Sequence, residues 1–179
     1  MYFRKLIGKK CYLSPINEND VGKFTEWVND LEVVITNPFY HGVRNTERIR
    51  EEFKIVSKTH NYAIVDIESN EPIGHCGFNN IDHLNQIGEV GIMIGDKNYW
   101  DKGYGTEALV LLLDFSFEAL NLHNISLWTY SFNERALKSF KNIGFKLIGK
   151  KREALLRGKD RYDVIYMDIL PSEFYEANR

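Results

Sequence analysis

The chain has 179 residues, 44% hydrophobic and 27% charged, with 13 Gly, 4 Pro and 2 Cys, which excludes collagen-like, mucin-like and disordered chains. One domain is expected over residues 1–179, with a core large enough to need no metal or disulfide staple. The formal net charge of −2 argues against a general nucleic-acid binder, and the longest uncharged apolar run, 108–113, is far too short to span a membrane. In chain order, residues 12–16 read as a short strand ended by Pro15, and 17–20 supply N-cap candidates for a helix through Trp27. Asn45, Thr46 and Glu47 open a second helix whose apolar face is Ile49, Phe53 and Val56. Three strands of a meander follow at 62–67, 72–78 and 88–94, joined by turns at 69–71 and 82–86. Residues 106–120 are apolar on nearly every face, which marks a buried helix. A strand at 125–130 precedes an amphipathic helix at 133–142 with Ala136, Leu137 and Phe140 on one side. Segments 144–148 and 163–167 read as a closing antiparallel pair. A run of strands, then strands alternating with helices, indicates an α/β (α+β) class with a mixed sheet and helices packed on it.

Charge is unevenly spread. Between Asn133 and Asp163 ten basic residues meet four acids, giving +6 there and −8 for the rest. Between Asn17 and Glu32 the acids Glu18, Asp20, Glu26, Asp30 and Glu32 face Lys23 alone. Two readings stay open: solvated surfaces, or an anionic ligand near the C-terminal third and a cationic one near the N-terminal helix. Met1-Tyr2-Phe3-Arg4-Lys5 leads into no apolar stretch, so no secretory leader is expected. Cys11 and Cys76 make no disulfide framework, and a cytoplasmic protein is expected. His41, His60, His75, His83 and His123 show no ligand spacing, so no metal is expected; no G-x-S-x-G elbow points to a hydrolase.

The most informative stretch is Trp100-Asp101-Lys102-Gly103-Tyr104-Gly105-Thr106-Glu107-Ala108, between an apolar strand and the buried helix. Two glycines spaced by one residue at a helix start allow a tight turn whose N–H groups converge on one point. With the positive end of the helix dipole they suit a phosphate or pyrophosphate. A plain strand-to-helix turn remains the alternative, with glycine serving only positive φ. Gly105 is the position where a Cβ is expected to strain the turn. Gly103 to Ala108 also fits the dinucleotide fingerprint G-x-G-x-x-G/A. That motif wants an acid about 20 residues on, at the end of the following strand, and residues 125–130 offer none. No G-x-x-x-x-G-K-[ST] exists for a nucleotide triphosphatase.

Gly91-Ile92-Met93-Ile94-Gly95 followed by Trp100 to Ala108 resembles motif A of the GNAT N-acetyltransferases, Q/R-x-x-G-x-G/A, with Trp100 at the Q/R position. Asn133-Glu134-Arg135-Ala136 with Gly144-Phe145 is similar to that family's N-x-x-A…G-F signature. Arg152 to Leu156 with Tyr162-Asp163 resembles the tail of the ribosomal-protein N-terminal and spermidine acetyltransferase branch. The likeness runs from about Leu6 to Glu173 and implies a GNAT-like fold. That means a mixed sheet of about seven strands, mostly antiparallel in its N-terminal part, with helices on both faces.

It also implies an enzyme that takes acetyl-CoA as cosubstrate and acetylates a primary amine directly: a protein N-terminus, a polyamine or another small amine. The pantetheine arm is expected along Ile92, Met93 and Ile94, with a backbone N–H near Met93 polarising the thioester carbonyl. The pyrophosphate is expected on main-chain groups of Trp100, Asp101, Lys102, Gly103, Tyr104, Gly105 and Thr106. Asn133, Lys138, Phe140 and Lys141 complete the expected cofactor residues. An amine of pKa near 8–10 must lose a proton, and Glu89 is the candidate general base, acting through water. Phe140 stands where many relatives carry a Tyr that protonates the leaving thiolate. Ser139, Tyr130 and Tyr104 are the substitutes. A non-catalytic CoA-binding or sensing module is the rival reading. The expected assembly is a monomer or homodimer, with neither nucleic acid nor membrane as partner.

Overall fold

A computed structural model describes residues 1–178. β2 (Cys11–Pro15) and β3 (Asn61–Asp66) are almost wholly buried, as their apolar runs require, and pair antiparallel from Cys11↔Asp66 to Pro15↔Tyr62. β1 (Leu6–Ile7) adds to β2, and β4 (Pro72–Asp82) pairs antiparallel with β3. With β5 (Ile87–Ile94), β6 (Asn124–Tyr130), β7 (Lys146–Arg157) and β8 (Asp160–Ile169) they form a mixed sheet of eight strands, ordered β1-β2-β3-β4-β5-β6-β8-β7. The eighth strand is β1, whose two residues are too few to show alternation.

The described chain groups into two compact units, residues 1–78 with 92–112, and 79–91 with 113–178. In the first, Asn17 caps a single 3-10 turn by accepting from Asn19 N, and α1 (Val21–Asn29) follows. Asp30 caps α2 (Leu31–Val34), a helix too short to leave a periodic signal, and Asn45 caps α3 (Thr46–Val56) by accepting from Arg48 N. Phe24, Trp27 and Val28 of α1, Val34 of α2, and Ile49 and Phe53 of α3 enclose Met93 of β5 in one core cluster. Phe24 meets Phe53 edge-on at 4.9 Å.

His75 of β4 lies beside the Phe24 ring at 5.6 Å, and its Nδ1 is shut from solvent with no partner among the described residues. Burial pushes its pKa down to about 4. The folded chain therefore resists protonation that the unfolded chain accepts near pH 6.5, so this contribution is full above 6.5 and is lost as pH falls toward 4. Roughly 2–3 kcal/mol is expected to disappear over that window, at about 1.36 kcal/mol per pH unit. The urea midpoint of wild type should fall more steeply from pH 7 to 5 than that of His75→Gln; parallel curves would refute the assignment.

In the second unit β6 pairs parallel with β5 from Ile87↔Asn124 to Glu89↔Ser126, and antiparallel with β8 from Ile125↔Ile169 to Tyr130↔Val164. α5 (Glu134–Ile143) ends on Gly144 at φ 115°, so Gly144 is a left-handed helix cap and not the start of a strand. β7 begins two residues later and runs to Arg157, well beyond 144–148. A register shift between Lys151 and Leu155, with Glu153 at φ 50°, interrupts the alternation that would have announced its length. α6 (Pro171–Ala177) opens with Leu170 N donating to Glu173 Oε2 at 3.0 Å.

Candidate functional site

Between β5 and α4 (Tyr104–Glu118) the chain turns through Asp101 at φ 58° and Gly103 at φ 83°. Left-handed backbone disfavours side chains, so Gly103 is the glycine the turn needs for its conformation. Gly105 is not, contrary to expectation: its φ is not positive, and a Cβ there would sit 3.5 Å from Ile94 Cγ1, an ordinary contact. The N–H groups of Tyr104 and Gly105 belong to the first helical turn and lie outside the intrahelical ladder, while Glu107 N bonds Gly103 O at 3.0 Å. The positive end of the helix, its first-turn amides and Lys102 in the turn are groups suited to an anion such as a pyrophosphate.

Side chains pin the turn at alternate residues. The Trp100 indole N–H donates to Ile94 O at 2.8 Å, so the Q/R position of the motif is used here to tie the turn to the end of β5. Lys10 Nζ donates to Lys102 O at 2.5 Å. Tyr104 donates its hydroxyl to Asp66 Oδ1 at 2.9 Å, and burial together with that carboxylate pushes its pKa up to about 12. Tyr104 is thereby committed as a donor within the fold, which weakens its claim to protonate a thiolate. Glu107 accepts the backbone N–H groups of Lys9 and Lys10. Neither Asp66 nor Glu107 stood out in the sequence. The available signal was an acid ending an apolar strand just before a Ser-Asn turn.

Along β5, Met93 has its side chain in the core at 5% exposure, and Ile92 and Ile94 are half-buried. Pairing with β6 ends at Glu89↔Ser126, while β5 itself continues to Ile94. Glu89 is half-buried, and its Oε1 accepts from Asn79 Nδ2 at 3.0 Å. In α5, Asn133 caps the helix, accepting from Ala136 N at 3.3 Å and donating to Thr129 Oγ1 at 3.1 Å. Phe140 is 6% exposed and packs on Phe145, so its ring belongs to the core; Lys138 and Lys141 are exposed. Tyr130 is buried and stacks on Phe132 at 5.7 Å, and its hydroxyl pKa is raised by burial.

The acidic N-terminal region is partly neutralised from within. Lys97 Nζ lies 2.8 Å from both Asp30 Oδ2 and Glu32 Oε2, and this holds the Asp30 carboxyl below the usual carboxylate range. Asp20 is half-buried, and burial raises its pKa. Glu18 and Glu26 remain exposed. No group of His, Cys, Asp and Glu among the described residues is arranged to hold a metal ion, and no described helix is long and apolar enough to cross a membrane.

The sequence pattern of the acetyltransferase (GNAT) domain matches residues 10–146. N-acetyltransferase p20 of Bacillus licheniformis is 29% identical over 136 residues, 73% of each chain. The fold is shared with spermidine N-acetyltransferase from Vibrio cholerae, solved with CoA and spermine, at TM-score 0.82 and 21% identity over 94% of this chain and 99% of that one. It is shared too with RimL, a ribosomal L7/L12 alpha-N-protein acetyltransferase solved with coenzyme A, at TM-score 0.79 and 16% identity over 92% and 96%.

Proposed function

The chain belongs to the GNAT acetyltransferase family and is an acetyl-CoA-dependent acyltransferase; from that premise we propose that one domain over residues 1–179 moves the acetyl group directly to a primary amine. The observation that carries the donor side is the pinned left-handed turn at Asp101 and Gly103, opening into the first amides of α4. Main-chain groups from Trp100 to Thr106 hold the pyrophosphate, with Lys102 adding charge. The backbone of Ile92, Met93 and Ile94 takes the pantetheine arm, and an N–H near Met93 polarises the thioester carbonyl. Asn133, Lys138, Phe140 and Lys141 complete the donor set. Asn133 and Phe140 contribute through helix and core rather than through a free side chain, and the lysines through charge. Glu89 takes the amine proton through water. A thiolate of pKa about 8.5 leaves without a strong acid, so Phe140 in place of a tyrosine is compatible with turnover.

The test is free-thiol release from acetyl-CoA against a panel of polyamines, peptides with free N-termini and neutral small amines. Turnover with any amine supports the reading; CoA binding without turnover across the panel would leave the sensing module instead.

For the acceptor we infer a cationic amine, a polyamine or the N-terminus of a basic protein, supported by the five acids between Asn17 and Glu32. Lys97 now enters that argument, since it neutralises two of them. Removing its charge should deepen the local negative field. Lys97→Met is expected to lower the KM for a polyamine about threefold at low salt and to steepen its rise with ionic strength. Exposed ion pairs are each worth only about 0–1 kcal/mol, so the fold should tolerate the change. A KM that ignores both the mutation and salt would return these acids to solvated surface.

A further inference from the structure

We propose that Asp66, acting through the Tyr104 hydroxyl, is a positioning residue that holds the turn from Trp100 to Thr106 in its anion-ready backbone conformation. The inference rests on the reading of that turn as the CoA pyrophosphate site and adds the part of the chain that builds it. Asp66 ends β3 at 3% exposure. A buried carboxylate is costly unless its oxygens are hydrogen-bonded. Oδ2 is used locally, accepting Ser69 N and Ser69 Oγ, both at 2.8 Å, to close the turn before β4. Oδ1 is reserved for Tyr104, 38 residues away in sequence. Burial opposes ionisation of Asp66, but these bonds outweigh it and hold the carboxyl below its usual range.

Tyr104 stands between the two glycines of the motif, so it is the side chain by which G-x-G can be gripped. Its ring meets Tyr99 edge-on at 4.9 Å, and Lys10 Nζ lies 5.8 Å over it while bonding Lys102 O. Anchors therefore fall on Trp100, Lys102 and Tyr104, and the left-handed residues Asp101 and Gly103 lie between them. Sparsely populated backbone of this kind persists where its surroundings over-determine it. A turn held in shape before the ligand arrives loses less entropy on binding, which appears as affinity.

The deciding variant is Tyr104→Phe, which removes one oxygen and keeps the ring on Tyr99. Tyr99→Phe is the control, because the Tyr99 hydroxyl is 3.5 Å from the same carboxylate and outside the turn. Calorimetry with CoA should show about a tenfold weaker Kd for Tyr104→Phe and a change within twofold for Tyr99→Phe. KM for acetyl-CoA should follow Kd, with kcat at saturation within twofold of wild type. Hydrogen exchange on the ligand-free chain should be at least fivefold faster at the amides of residues 101–106 in Tyr104→Phe. Unchanged exchange and a Kd within twofold would overturn the proposal and leave Asp66 as a fold-stabilising turn residue. If wild type itself fails to bind CoA while exchange still responds to Tyr104→Phe, the pyrophosphate reading falls and the positioning of the turn stands.

Discussion

Gly103→Val is expected to weaken CoA binding at least a hundredfold, whereas Gly105→Ala leaves it within about threefold. At φ 83° a β-branched residue meets its own backbone, at a cost of about 1–2 kcal/mol or more. The chain escapes that cost by rotating out of the left-handed region, and the amides then no longer converge. Hydrogen bonds to a charged group are worth roughly 1.5–3 kcal/mol each, so losing two removes about 3–6 kcal/mol. Every 1.4 kcal/mol is tenfold in Kd, which sets the lower bound of a hundredfold. At Gly105 the argument reverses, because an added Cβ finds Ile94 Cγ1 at 3.5 Å, Ile92 Cδ1 at 3.7 Å and Ile94 Cδ1 at 3.9 Å, all ordinary contacts. Alanine also suits a first helical turn better than glycine. Calorimetric titration of both variants with CoA separates the two positions, and a Gly103→Val protein that binds within tenfold of wild type would reduce the motif to a plain turn.

The difference between those glycines shows what one-dimensional reading reaches. Spacing alone indicates that a glycine pair opens a helix, but which glycine carries positive φ depends on where the helix begins. Thr106 is the natural start by apolar periodicity, and the helix in fact starts at Tyr104, which places Gly105 inside it. Gly144 fails in the same way: read as the first residue of a strand, it is the αL cap of α5. Segments such as β3, β5 and α4 were legible because apolar residues crowd their sequences, NYAIVD, IGEVGIMI and YGTEALVLLLDFSFE. Short or interrupted elements were not: α2 has four residues, and β7 breaks its alternation at a bulge. Within the site, Trp100, Gly103 and Tyr104 were readable from the motif, whereas Asp66 and Glu107 act by contacts of long sequence separation that no local pattern encodes. The pairing within the acid cluster was hidden for a related reason, since Lys97, which meets Asp30 and Glu32, lies 65 residues from Glu32.

Glu89→Gln is expected to lower kcat about a hundredfold near pH 7 and to leave CoA affinity within twofold, the scale on which a general base acts. The geometry makes this substitution clean. Asn79 Nδ2 donates to Oε1 at 3.0 Å, which fixes the carboxylate on β5, and a glutamine carbonyl accepts the same bond while losing the capacity to take a proton. In the proposed mechanism Oε2 is then the oxygen that would meet the water relaying the amine proton. Asn79→Ala should therefore reproduce part of the loss, about fivefold, by freeing the side chain to rotate. The pH profile then carries the mechanistic content. As pH rises, more of the amine arrives without its proton, so the Glu89→Gln rate should climb nearly tenfold per pH unit until the amine's own pKa is reached. For a protein N-terminus that plateau comes near pH 8, and for an alkylamine such as a polyamine near pH 10, so the same titration reports the class of acceptor. A Glu89→Gln protein that matches wild type from pH 6 to 9 would remove Glu89 from the reaction and return it to a strand residue held by Asn79.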